Sequence, residues 1–442
     1  MSSLERKLGS VENLFHVIHD FGGMIDVNIA RIEGDVQPHV LQKALLLLQK
    51  RYPLLRVRII DLEDGYYFSS ENIQKIPLRV ITKTDENQWL EVAESELHQK
   101  FSQDFHPLCR IILLKSSLRD GLSEIIATFH HSITDGLSCM NFIDNLLIYY
   151  HKIVSQEEIY NPTSLDFPPP IEQKLNRNLV NCSQTEDTKN ENSSDSWSPQ
   201  LIIENEASLN ERRTHIINRI INSETLLNLK RQSKTQATTI HGALCAAMLL
   251  GTKTISSFEE PVNLSCSSSI DLRKYCQPEI DINNFGCFVS IIENMHILSK
   301  NTDFWDLARN CKQKIELTKN QTINNMIDGQ RLANFSQLTL EKMLEKNPIG
   351  RIQMISVSNR GKINLAKNYG RLKIKEIYFA TGQHILGPCL WLGAVTFHEK
   401  LCLSFAHVTP LISSQTMNNF ADSVVSILEK VANEESLIKE NG

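Results

Sequence analysis

From Ser183 to Asp195 the chain reads Ser-Gln-Thr-Glu-Asp-Thr-Lys-Asn-Glu-Asn-Ser-Ser-Asp, a polar run with nothing to bury. No single hydrophobic core can pass through such a stretch. At 442 residues the chain also exceeds what one core supports, since domains cluster near 100–200 residues. Two lobes are therefore expected, residues 1–179 and 209–442, joined by a polar flexible linker over 180–208. The 41% of hydrophobic residues is enough for two cores.

Apolar spacing on both sides of the linker alternates between strand and helix periods. Before it, Met24 to Ile32 reads as a strand turned by Gly34-Asp35, and Val40, Leu41, Ala44, Leu45 and Leu48 fall on one helical face that Pro53 ends. Leu54 to Ile60 and Gly65 to Ser69 read as paired strands, and Trp89 to Phe101 as a second amphipathic helix. Cys109 to Ser116 and Glu124 to Phe129 suit a hairpin around Asp120-Gly121. After Gly136, Met140, Ile143, Leu146, Leu147, Tyr150 and Ile153 mark a helix. Beyond the linker, helices are expected near Glu224–Lys234 and Ile240–Lys253, and strands at Pro261–Ser269, Phe285–Ile292, Ile374–Phe379, Leu390–His398 and Lys400–His407. A closing helix follows through Met417, Phe420, Val424, Ile427, Leu428 and Val431. The fold class is α/β (α+β).

Several function classes are disfavoured. A net charge of -5 gives no electrostatic footprint for nucleic acid. No apolar stretch has signal-peptide or membrane-span character, so a cytoplasmic protein without a membrane span is expected. The ten cysteines include no CxxC pair, and buried reduced thiols are the plain reading. His16 and His19 have ligand-like spacing but no convincing third partner, and helix-surface histidines are commoner than metal sites, so no metal is expected. Gly136 to Met140 lacks the final glycine of a nucleophile elbow, and no phosphate-cradling glycine loop occurs.

The chemistry concentrates in His130-His131-Ser132-Ile133-Thr134-Asp135-Gly136. A strand leads in and a helix leads out, a turn where reactive side chains are displayed. Adjacent histidines on a strand face opposite sides, so one serves as base and the other as support. A neutral imidazole can take the proton of an attacking alcohol or amine. Asp135 can be a relay carboxylate or the cap of the following helix, and spacing does not decide; Gly136 supplies backbone freedom for the turn. Four fixed positions match by chance in roughly one chain in a thousand, which favours function over accident.

This run resembles the HHxxxDG acyltransferase superfamily, which includes nonribosomal peptide synthetase condensation domains, polyketide-associated acyltransferases, alcohol acetyltransferases and, more distantly, chloramphenicol acetyltransferase. Further likeness lies in Leu4-Glu5-Arg6-Lys7-Leu8 with Glu12, in Gln49 to Arg56, in Ser269-Ile270-Asp271-Leu272-Arg273 and in Ser358-Asn359-Arg360-Gly361. The resemblance implies two chloramphenicol acetyltransferase-like lobes, each a mixed sheet flanked by helices, in a V, with His131 as general base reached from both faces. It implies a structural Asp135 paired with Arg273, supporting roles for His130 and Gly136, and Ser358 and Asn359 as oxyanion or substrate-binding candidates, although such residues are usually turn formers. Arg360 departs from the apolar residue common in Ser-Asn-x-Gly. The co-substrate would be acyl-CoA or a phosphopantetheinyl acyl-carrier protein, with no bound cofactor, and a monomer is expected. A hydroxyl acceptor giving an ester is the leading expectation. An amine acceptor giving an amide, and a non-catalytic carrier-protein-binding scaffold, are the alternatives.

Overall fold

The computed structural model describes residues 4–102, 104–117, 121–159, 162–180, 202–257, 261–329 and 335–434. Most of the expected linker, residues 181–201, and Asp120 of the expected hairpin turn lie outside the described residues. In chain order the first part carries β1 (Leu4–Lys7), α1 (Ser10–Asp20), β2 (Ile25–Glu33), α2 (Pro38–Arg51), β3 (Arg58–Leu62), β4 (Gly65–Ser69), β5 (Leu78–Lys83), α3 (Gln88–His98), β6 (Cys109–Ser116), β7 (Ser123–His130) and α4 (Gly136–Val154). The second carries β8 (Arg213–Ile221), α5 (Ser223–Thr235), α6 (Ile240–Gly251), β9 (Val262–Asp271), β10 (Val289–Leu298), α7 (Phe304–Ile327), α8 (Gln337–Lys346), β11 (Arg351–Lys362), β12 (Asn368–Tyr369), β13 (Leu372–Thr381), β14 (Gly387–Phe397), β15 (Lys400–Thr409) and α9 (Ser414–Asn433).

Two six-stranded mixed sheets result, ordered β12-β13-β2-β7-β6-β5 and β10-β9-β11-β14-β15-β8, beside a small β1-β4-β3 sheet. Strand β7 is buried along its whole length, which is why Ile125, Ile126 and Ala127 run on without alternation and the buried Glu124 is paired with Lys83 and Arg31. It delivers His130 opposite Ile25 of β2. Each large sheet has its own core, and the first core also takes in Trp391, Val395 and Phe397 of β14. Nine cysteines are buried and free; Cys182 is outside the described residues.

The structure departs from the sequence reading at several points. Leu54–Arg56, expected in a strand, belong to a 3-10 turn, Pro53–Arg56, that precedes β3. Strand β13, within the expected second lobe, hydrogen-bonds to β2 of the first sheet from Lys373↔Glu33 to Thr381↔Asp26. Helix α3 stops at His98, and Phe101 lies beyond it with its N–H donated to His19. Strand β10 begins at Val289, because the loop Phe285–Phe288 gives its backbone groups to α4 instead of a ladder. Residues 202–208, within the expected flexible linker, are docked: Ile202 is buried and the Glu204 N–H donates to Leu411.

Candidate active site

His131 opens a single 3-10 turn, His131–Ile133, between β7 and α4. Its Nδ1 lies 3.0 Å from the Thr134 carbonyl. A carbonyl only accepts, so Nδ1 carries the proton and Nε2 keeps its lone pair. The ring packs against Phe15 of α1, with centroids 4.3 Å apart. It is half-buried and lines two cavities of about 260 and 150 Å³ that also share Ser269, Ser358 and Thr381.

Asp135 caps α4, accepting from Ser138 N–H at 2.9 Å. The same carboxylate accepts from Arg273 Nη2 at 3.0 Å and from Phe288 N–H at 2.9 Å. These bonds tie it to the helix start and to the second sheet, so it is not the acceptor of His131 Nδ1–H. Arg273 also donates to Ser138 Oγ at 3.0 Å and to Asp271 at 2.7 Å, and lies over Phe288 at 4.7 Å. Burial favours the neutral form of Arg273, but Asp135 and Asp271 outweigh it and hold the guanidinium proton more tightly than usual.

Gly136 does not have the positive φ that glycine freedom would explain. Its role is space. A Cβ there would stand 2.8 Å from Arg360 Nε, because the Arg360 side chain crosses directly over the helix start. Arg360, the departure from the Ser-Asn-x-Gly pattern, is buried against Phe379 with its guanidinium carbon 3.6 Å from the ring centroid. It donates to Asn28 and sits 3.4 Å from Asp26 Oδ2. Asp26 also accepts from Asn28 Nδ2 at 2.8 Å, Cys139 Sγ at 3.2 Å and Thr381 Oγ1 at 3.3 Å. Burial pushes the Asp26 carboxyl up, yet Arg360, His131, Asn28 and Cys139 together hold it below its ordinary value. Sequence reading missed Asp26, although a lone carboxylate between Ile25 and Val27 of a buried strand already signals a paired charge.

Ser358 lines both cavities and Asn359 the second. The Asn359 side-chain oxygen accepts from Gly361 N–H at 2.9 Å, which is turn chemistry.

His130 faces away from the cavities into a histidine cluster that the sequence did not reveal. His16 and His19 are buried rather than on a helix surface, and His130 is the third partner, with ring nitrogens of all three within 4.8 Å. Backbone donors fix two tautomers. Ser132 N–H donates to His130 Nδ1 at 3.1 Å, and Phe101 N–H to His19 Nε2 at 3.0 Å. The protons therefore sit on His130 Nε2, which lies 3.3 Å from His16 Nδ1, and on His19 Nδ1, which lies 3.7 Å from Asp20. His16 Nε2 is likewise 3.7 Å from Asp20. With one nitrogen of each ring taken by a backbone donor and the other protonated, neither His130 nor His19 offers a free lone pair to a metal; His130 Nε2–H donates to His16 Nδ1, and Asp20 lies 3.7 Å from His16 and His19. Burial lowers His130 well below the usual histidine range, and it takes His16 to about 4, so both rings stay neutral.

The opening segment anchors this turn. Arg6 forms a two-pronged ion pair with Glu12, each bond 2.7 Å, and Glu12 Oε2 accepts from Gly9 N–H at the start of α1. The Glu12 carbonyl then accepts from Ser132 Oγ at 2.6 Å, fastening the residue after His131 to α1.

The family model described as the condensation domain matches residues 27–439. The chain belongs to the condensation-domain family. Among curated proteins it is similar to the nonribosomal peptide synthetase tcpP of Claviceps purpurea, 28% identical over 158 residues, which is 34% of this chain and 7% of that one. It is also similar to the cyclosporin synthetase simA of Tolypocladium inflatum, 26% identical over 174 residues, 39% of this chain and 1% of that one. The match thus spans a small fraction of those relatives. Among solved structures, the trichothecene 15-O-acetyltransferase of Fusarium sporotrichioides superposes with a TM-score of 0.70 at 14% identity, covering 97% of this chain and 95% of that one. The polyketide synthase associated protein 5 of Mycobacterium tuberculosis gives 0.67 at 14% identity, covering 98% and 100%. The epimerization domain of the third module of tyrocidine synthetase B gives 0.67 at 14% identity, covering 98% of both chains. These likenesses place the fold of this condensation-family chain among two-lobed, chloramphenicol acetyltransferase-like folds. Among the described residues no helix is long and apolar enough to cross a membrane.

Proposed function

We propose that the chain transfers an acyl group from a thioester, on coenzyme A or an acyl-carrier protein, to a hydroxyl acceptor, with His131 as general base. The observation that carries the reading is the tautomer of His131: Thr134 holds the proton on Nδ1, leaving basic Nε2 on a ring that lines both cavities. Nε2 takes the proton of the acceptor hydroxyl as its oxygen attacks the thioester carbonyl. The tetrahedral intermediate collapses, the C–S bond breaks, and the imidazolium returns the proton to the departing thiolate. An ester and a free thiol result, with no other reactant consumed. The Ser358 hydroxyl is the candidate donor to the developing oxyanion. Asp135, His130 and Arg273 hold the turn without touching the reacting atoms.

Similarity in fold to an O-acetyltransferase supports a hydroxyl acceptor, and the peptide synthetases among the relatives favour an amine and an amide product as the second reading. The protein and its His131→Ala variant, incubated with acyl thioesters and mixed alcohols and amines, decide by thiol release and product mass. Loss of about 100-fold or more is expected on removing the base. Equal activity of the two proteins would overturn the assignment, and product mass separates ester from amide.

A further inference from the structure

The two cavities that meet at His131 differ in kind. Among the described residues, no Asp, Glu, Lys or Arg lines the larger one; Leu14, Phe15 and Ile18 of α1, Met343 of α8, Leu386 and Trp391 give it an apolar wall, with serine, threonine and glutamine as its polar lining. The smaller one carries Asp26, Asp135, Asp271, Arg273 and Arg360. A charged group moved into the larger cavity would lose its water and meet no counter-charge, which is strongly unfavourable. An apolar group would gain by leaving water, by roughly fourfold in affinity for each methylene buried.

Size narrows the class further. An apolar cavity of about 150 Å³ admits benzene. By the same measure 260 Å³ has room for roughly ten heavy atoms. Of the three parts that must converge on His131, the thiol-bearing arm carries amides and the acceptor must present its nucleophile at the base, whereas the acyl chain beyond its carbonyl needs no polar group and suits the apolar wall.

Resting on the acyl-transfer reading, we infer that the larger cavity is an acyl chamber that takes an uncharged, apolar acyl group of about ten heavy atoms, medium-chain or aryl. It excludes α-aminoacyl and carboxyacyl groups, and the charged cavity receives the polar partner. Met343 lines the chamber from α8, which contributes no residue to the turn carrying His131, and it packs against the buried cluster of Val17, Ile18, Leu340, Ile385 and Leu386.

The test compares butanoyl, decanoyl, aminoacyl and succinyl thioesters of coenzyme A and pantetheine, using wild type, Met343→Trp and Met343→Ala. Decanoyl is expected to be transferred at least tenfold faster than butanoyl and at least 100-fold faster than the charged groups. Met343→Trp is expected to lower the decanoyl-to-butanoyl ratio at least tenfold. Met343→Ala moves the optimum to longer chains, and it reads the same wall if the tryptophan variant does not fold. Wild-type transfer with no preference among these groups, or ratios unchanged in both variants, overturns the chamber while leaving the acyltransferase reading intact. Binding of unreactive S-decyl and S-ethyl thioethers of coenzyme A, measured by calorimetry, separates the opposite case. Tighter binding of the decyl compound by a protein that transfers nothing supports the chamber and removes the catalytic reading. Equal binding of the two thioethers overturns the chamber.

Discussion

Replacing Arg360 with leucine removes the guanidinium opposite Asp26 while keeping an apolar body against Phe379. The two side chains are 5% and 2% exposed and stand 3.4 Å apart. At that distance the attraction is about 5 kcal/mol for an effective dielectric near 20. Asn28, Cys139 and Thr381 continue to donate to the carboxylate, so the expected loss is about 3–5 kcal/mol, the usual result of leaving one partner of a buried pair behind. For lobes of about 200 residues this corresponds to a fall in thermal midpoint on the order of 10 °C. The sign with pH is determined. In the wild type the folded Asp26 carboxyl lies below its ordinary value, so its contribution is fully present above about pH 4 and is lost as pH falls through that depressed value. In Arg360→Leu the largest influence opposing burial is gone, so the carboxyl rises relative to wild type and the deficit is largest near neutrality and shrinks towards pH 4. Thermal scans of wild type, Arg360→Leu, Asp26→Asn and the double variant from pH 4 to 8 measure this. The double variant is expected to be more stable than Arg360→Leu alone. A variant within a degree of wild type at pH 7, or a deficit that does not change with pH, would refute the buried pair as a source of stability.

Gly136→Ala places a methyl against Arg360 Nε and is expected to destabilise by about 1–3 kcal/mol; in the Arg360→Leu background the added cost should shrink, as a thermal-shift cycle reads. Arg273→Lys cannot span Asp135, Ser138 and Asp271 together, so it should lower both stability, by about 1–3 kcal/mol, and acyl-transfer rate, seen in paired unfolding and thiol-release assays. Added zinc or a chelator should leave the thermal midpoint unchanged, because in His130 and His19 one ring nitrogen accepts a backbone N–H and the other carries the proton; stabilisation by equimolar zinc would show that these tautomers rearrange.

What was legible in the sequence was local or carried by a short pattern. The strand entering His130 and the helix leaving Gly136 follow from residues within a few positions of one another, whereas spacing left Asp135 open between relay and cap until the structure showed the cap. The pairing of Asp135 with Arg273 came from resemblance, and the structure has that bond. Contacts between distant segments were not legible. Asp26 and Arg360 are far apart in the chain, and no periodicity announces that β2 and β11 approach each other. Helices α7 and α8 were missed because their polar residues outweigh their buried ones. The reason for Gly136 was misread because a local pattern shows the turn but not the side chain lying across it.

The pairing of β13 with β2 bears on the order in which the protein can mature during synthesis. Thr381 donates to Asp26 from that strand, so part of the lining of the smaller cavity at His131 is supplied by a segment translated more than 350 positions later. Until then β2 has an open edge, and an unfinished chain offers that edge to neighbouring chains as a template for association. Nascent chains stalled before residue 372 should therefore depend on chaperones. The cavities at His131 are completed only when nearly all of the described chain has left the ribosome.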